Sequence, residues 1–142
     1  MIALALVAWT SAVAAAEPPS ALARARYFLE IFAKNPPEAK KFVTSDARMV
    51  VGDIGGTFND YLGVIRRHSN PFSSCRVGHL EARPSPVSAD LKDSPPWMKG
   101  SEMSLFEGEY DCVLPDGSSS TRRVSVILKN DRVFMFQLGG AQ

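Results

Sequence analysis

The stretch MSLFEGEYDCVLPDGSSSTRRVSVILKNDRVFMFQL, residues 103–138, decides the fold. Its apolar residues recur at every second position, the period of a β-strand with one buried face. Asp116-Gly117 and Asn130-Asp131 interrupt the alternation with the residue types that turn hairpins. The spacing predicts strands over Met103–Leu114, Thr121–Lys129 and Arg132–Leu138, and the same period predicts an earlier strand over Cys75–Arg83.

Upstream of residue 74 the period changes. Ser20 stands where an N-cap belongs, and Ala21–Lys34 carries helix formers with apolar residues at helical spacing until Asn35-Pro36-Pro37 stops it. Glu38–Val43 is expected as a short second helix and Ala47–Asp53 as a strand broken by Gly55-Gly56. Thr57 or Asn59 can cap a third helix that carries Phe58, Tyr61, Leu62 and Ile65 and ends in Arg66-Arg67-His68, cations that suit its dipole. Helices first and a meander afterwards is α+β organisation: N-terminal helices packed on a curved antiparallel sheet. The segment Pro84–Gly100, with four prolines, is expected as a long loop or a lid.

The 142 residues, 45% of them hydrophobic, suit one domain. Sixteen basic against fifteen acidic side chains leave a net charge of +1, which gives no broad electrostatic footprint for nucleic acid or anionic lipid. Residues 1–16 carry no charged side chain and end in Ala14-Ala15-Ala16 before Glu17-Pro18-Pro19, the pattern of a cleaved secretory signal, although no basic residue precedes the apolar run. A membrane anchor is the alternative, against which sixteen residues fall short of the ~20 needed to span a bilayer. The expected working domain is 17–142, periplasmic or secreted, with no stable membrane span after processing.

Phe106-Glu-Gly-Glu-Tyr110, the Asp116-Gly117 turn, Arg122–Leu128 and Asp131–Phe136, following helix, short helix, strand and helix, make the chain resemble the nuclear-transport-factor-2-like superfamily. The resemblance spans nearly the whole of 17–142 and rests on element order, without a diagnostic motif. It implies a cone in which helices cap a bent sheet over a pocket. The superfamily includes ketosteroid isomerase, dehydratases, epoxide hydrolases, polyketide cyclases and many non-enzymatic binding domains, so the fold does not select a reaction.

Turn positions give a register. Centring the long loop between 83 and 104 sets Cys75 opposite Cys112, which supports a cross-strand disulfide with Cα atoms ~5.5 Å apart in an oxidising compartment; two neighbouring free thiols are the alternative. Carrying the register across the two turns pairs Tyr110 with Ser125 and Ile127 with Phe134. One face then collects Val77, His79, Phe106, Tyr110 and Cys112, with Ser125, Ile127, Phe134, Phe136 and Leu138. That mostly apolar face is assigned to the pocket side, where Tyr61 joins the lining; a one-residue slip would exchange the faces. The opposite face mixes Glu107, Glu109, Asp111, Arg76 and Arg122 with Val124, Val126, Val133 and Met135.

Asp53, His79 and Tyr110 are the candidate catalytic groups. A carboxylate with a raised pKa beside a tyrosine donor can move a proton next to a carbonyl, but each of the three also reads as an ordinary rim, sheet or turn residue. No cofactor is expected, since Gly52-Asp-Ile-Gly55-Gly56 lacks both the dinucleotide spacing and the P-loop lysine. No metal is expected either: two histidines and two distant cysteines lack zinc spacing, and Glu107, Glu109 and Asp111 read as a solvated stripe balanced by Arg76 and Arg122. No serine-nucleophile elbow occurs. The reading is an exported domain of non-enzymatic type that binds a small apolar ligand or a protein partner and dimerises through its sheet. The alternatives are a pocket enzyme of isomerase, dehydratase or cyclase type, and an interaction module docking through the sheet or through Trp97 and Met98.

Overall fold

The computed structural model describes residues 20–84 and 103–141. Residues 1–16 and the Pro84–Gly100 connection with Trp97 and Met98 therefore lie almost wholly outside the described residues. Among the described residues, no helix is long and apolar enough to cross a membrane.

Helix α1 covers Ala21–Lys34, and the Ser20 hydroxyl accepts from the Ala23 amide at 3.1 Å to cap it. It buries Ala25, Phe28, Leu29, Phe32 and Ala33, the i, i+3, i+4, i+7 stripe of a helix lying on a core. The expected second helix starts two residues earlier than its sequence suggested, as α2 (Pro36–Ala39) followed by a 3-10 turn (Lys40–Phe42). Proline is tolerated at a helix start because its missing N–H would have no partner there. Strand β1 consequently begins at Val43 and ends at Val51, before Gly52 turns the chain at φ +60° into β2 (Ile54–Thr57). That short strand was not foreseen, because two of its four residues are glycine. Helix α3 (Phe58–Arg67) opens with a reciprocal cap: the Asp60 amide donates to the Thr57 hydroxyl at 3.2 Å, and the Thr57 amide to the Asp60 carboxylate at 2.9 Å.

Strands β3 (Cys75–Arg83), β4 (Met103–Val113), β5 (Ser119–Lys129) and β6 (Arg132–Ala141) form the meander. The sheet order is β2-β1-β6-β5-β4-β3, so β1 inserts beside the last strand, and this β1–β6 pairing is parallel where the sequence suggested an antiparallel sheet throughout. Register shifts in β1–β6, in β3–β4 and twice in β5–β6 supply the local kinks that bend a sheet.

Cys75 lies opposite Cys112 as the loop midpoint indicated, and the two form a disulfide with Cα atoms 4.0 Å apart, closer than the ~5.5 Å typical of such bridges. The β4–β5 register departs from expectation. Pro115-Asp116-Gly117 makes a three-residue loop closed by the Leu114 amide on the Ser118 carbonyl, with Gly117 at φ +85°. Tyr110 thus faces Arg122 rather than Ser125, a displacement of three positions. An odd displacement exchanges the faces of β5. Val124, Val126 and Leu128 are buried, while Ser125 and Ile127 belong to the other face. A second irregularity, between Ile127 and Leu128, restores the parity, so Phe136 pairs with Val126 and Leu138 with Val124 on the buried side.

Candidate functional site

The interior between α1, α3 and the sheet is built by an aromatic cluster. The Phe32 ring stacks on Tyr61 at 5.3 Å and meets Phe136 at 4.7 Å, Phe28 at 5.9 Å, Phe72 at 6.2 Å and Phe58 at 6.3 Å. These rings come from both long helices, the meander and the segment before β3. Close ring packing at these distances adds to plain area burial.

Two tyrosines carry the polar groups of this interior. Tyr110 is fully buried on β4, and its hydroxyl donates to the Leu29 carbonyl of α1. Burial pushes its pKa far above the ordinary tyrosine value. Tyr61, on the inner side of α3, is also buried, and its hydroxyl has no hydrogen-bond partner. Burial pushes its pKa up to about 12. Phe106 and Phe136 share this interior, and Val77 packs against its margin. Phe134 is buried outside the main cluster, with the Lys129 ammonium 5.3 Å from its ring.

No protein-family model and no curated protein matches the sequence. Solved structures do. A protein from Sphaerobacter thermophilus aligns over 87% of this chain and 96% of its own, with a TM-score of 0.53 at 10% identity. An NTF2-like protein of unknown function from Exiguobacterium sp. 255-15 aligns over 87% of this chain and 98% of its own, with a TM-score of 0.52 at 10% identity. The chain has an NTF2-like fold. At 10% identity the likeness is one of architecture alone.

Within the NTF2-like frame the three candidate catalytic groups are dispersed. Tyr110 is inside. Asp53 is exposed in the turn after β1, because the strand ends two residues before it. His79 leaves the interior through the irregularity between Val77 and Leu80: Val77 faces Tyr110, Leu80 faces Gly108, and the extra residue turns His79 outward, its side chain 69% exposed. Gly108 permits this, since a Cβ there would lie 2.0 Å from the His79 carbonyl oxygen. Gly78 and Gly108, glycines inside two strand patterns, are the sequence signal that would have located it.

On the outer face His79 Nε2 lies 3.2 Å from Glu81, whose other oxygen is 2.8 Å from Arg83 Nη2; Arg83 Nε reaches Glu107 at 3.4 Å. The His79 hydrogen bond and the Arg83 charge hold the Glu81 carboxyl below its ordinary range. Ser125 and Glu109 border the same shallow depression. Sequence reasoning missed a further cavity of about 210 Å³ near the β5–β6 turn, lined by Arg24, Tyr27, Lys41, Phe42 and Arg132 among others. The residues come from three separate elements, and only the fold brings them together. Among the described residues there is no cluster of metal-ligating side chains.

Proposed function

We propose that this chain is an exported NTF2-like domain of non-enzymatic type, whose work is binding. The observation that carries the reading is the state of Tyr110: its hydroxyl is engaged by the Leu29 carbonyl inside the hydrophobic core, while His79 and Asp53 face solvent elsewhere. A proton-transfer site needs its acid and base within ~3 Å of one reacting atom, and these three side chains have no such common point. Export is supported by the Cys75–Cys112 disulfide, which persists in oxidising compartments, together with the apolar run at residues 1–16.

The test is deuterium exchange. Conjugated ketones and β-hydroxyacyl thioesters incubated with the protein in D₂O are expected to show no protein-dependent exchange at the carbon beside the carbonyl. Exchange that disappears in Tyr110→Phe would replace this reading with the isomerase or dehydratase one. Intact mass gives a second check, with an expected N-terminus at Glu17 and no free thiol.

The partner is a second copy of the chain, docked through the outer face of the sheet. That face offers exposed apolar side chains, Val50 and Met135, on one half of the sheet and charges of both signs, Glu81 and Glu107 with Arg83 and Arg123, on the other, a distribution that can complement itself across a two-fold axis. Sedimentation at tens of micromolar is expected to show a dimer, and a monomer there excludes this interface.

A further inference from the structure

The cavity of about 210 Å³ near the β5–β6 turn lies between α1, the 3-10 turn and the hairpin, and Phe28 is common to its wall and to the interior aromatic cluster. Tyr27 and Phe42 form part of that wall as an edge-to-face pair 5.4 Å apart, with Leu128 and Val133 below. The apolar surface is thus contiguous and ring-sized. A volume under the ~300–1,000 Å³ of drug-sized pockets selects a smaller molecule.

Three cationic side chains border it. Arg24 Nη1 lies 2.5 Å from the Asp131 carboxylate and Lys41 Nζ lies 2.8 Å from Glu38, so two of the charges are compensated. Arg132 donates through Nη1 to the Lys41 carbonyl at 3.2 Å, and no carboxylate among the described residues pairs with it. The surplus is one positive charge. Arg24 Nε is itself buried without a hydrogen-bond partner, a costly state for an N–H. The hairpin turn that holds Asp131 against Arg24 has positive φ at both Asn130 (49°) and Asp131 (71°), a conformation non-glycine residues adopt rarely. Arg24 is held in place from outside its own helix.

We propose that this cavity binds a small organic monocarboxylate with an apolar, ring-sized body. The carboxylate pairs with the Arg132 guanidinium, with Arg24 and Lys41 in the same wall, and the body rests on Tyr27 and Phe42. One surplus charge matches a monoanion, and the Asp131 carboxylate in the wall repels the second charge of a phosphate dianion. The inference rests on the binding reading above and gives it a ligand class and a place outside the interior.

The test is an amide-resolved NMR titration of the purified protein with benzoate, set beside benzamide and benzylamine as its neutral and cationic counterparts. Benzoate at millimolar concentration is expected to shift the amides of Tyr27, Phe42 and Asn130–Arg132 saturably, with benzamide weaker and benzylamine silent. Arg132→Gln and Arg24→Gln, on different elements, are each expected to raise the Kd by about fivefold or more; the remaining amide signals show in the same spectra that each variant is folded. Raising the salt concentration weakens benzoate binding. Absence of shifts, equal shifts from benzamide, or an unchanged Kd in both folded variants overturns the proposal. Shifts confined to Phe32, Tyr61 and Phe136 overturn the placement while supporting the binding reading, whose own failure shows separately as deuterium exchange.

Discussion

Tyr110 and Tyr61 are two buried phenols in the same interior, with opposite energetic standing. The Tyr110 hydroxyl satisfies and is satisfied by the Leu29 carbonyl, tying β4 to α1. The Tyr61 hydroxyl is buried with nothing to receive its proton. Removing a made hydrogen bond costs stability, whereas removing an unmet one relieves desolvation. Tyr110→Phe is therefore expected to lower unfolding stability by about 1–2 kcal/mol, and Tyr61→Phe to leave it unchanged or raise it, both read by urea titration. Both tyrosines were legible from the sequence as inward-facing. Asp53 and His79 were not, for local reasons: Gly52 ends β1 before Asp53, and the irregularity at Gly78 reverses the side on which His79 stands. Alternation is a count, and one extra residue inverts it.

The elements divide along the same line. Helix α1 could be delimited because Ser20 caps it and Asn35-Pro36-Pro37 cannot continue it. The face of β5 could not be chosen, because Val124 and Val126 alternate with Ser125 and Ile127 and β-branched apolar residues stand on both sides. What decides is the loop, where Pro115 adds a third residue to the Asp116-Gly117 turn. Pairing of β1 with β6 is non-local and parallel, and no turn residue announces it. The strand glycines carry the testable consequence. Gly108→Ala sets a Cβ 2.0 Å from the His79 carbonyl and 2.8 Å from the Leu80 Cα, backbone atoms that can move only if β3 and β4 separate. A loss of about 3 kcal/mol is expected in thermal or chemical unfolding. Gly63→Ala, where a Cβ on α3 meets nothing within 4 Å, is expected to gain about 0.5–1 kcal/mol.

For the whole molecule, the disulfide fastens an end of the sheet. β3 is an edge strand whose one sheet neighbour is β4, and Cys75–Cys112 joins the two across a sequence separation of 37. Replacing both cysteines by alanine is expected to cost about 3–4 kcal/mol in oxidising buffer. In reducing buffer the native chain should lose a similar amount and the double variant nothing further. At the middle of the sheet the connection is different in kind. β1 has β6 as its inner neighbour, and Val43 and Val133 are 90 positions apart. Synthesis at roughly 5–20 residues per second makes that separation a wait of about 5–20 s. During it β1 lacks its inner neighbour and Phe28 and Phe32 of α1 lack Phe136, so neither the sheet nor the interior closes while the first third of the chain emerges. A nascent polypeptide of this topology is expected to carry an unfinished sheet for those seconds and to acquire its shape only after the distant strand arrives.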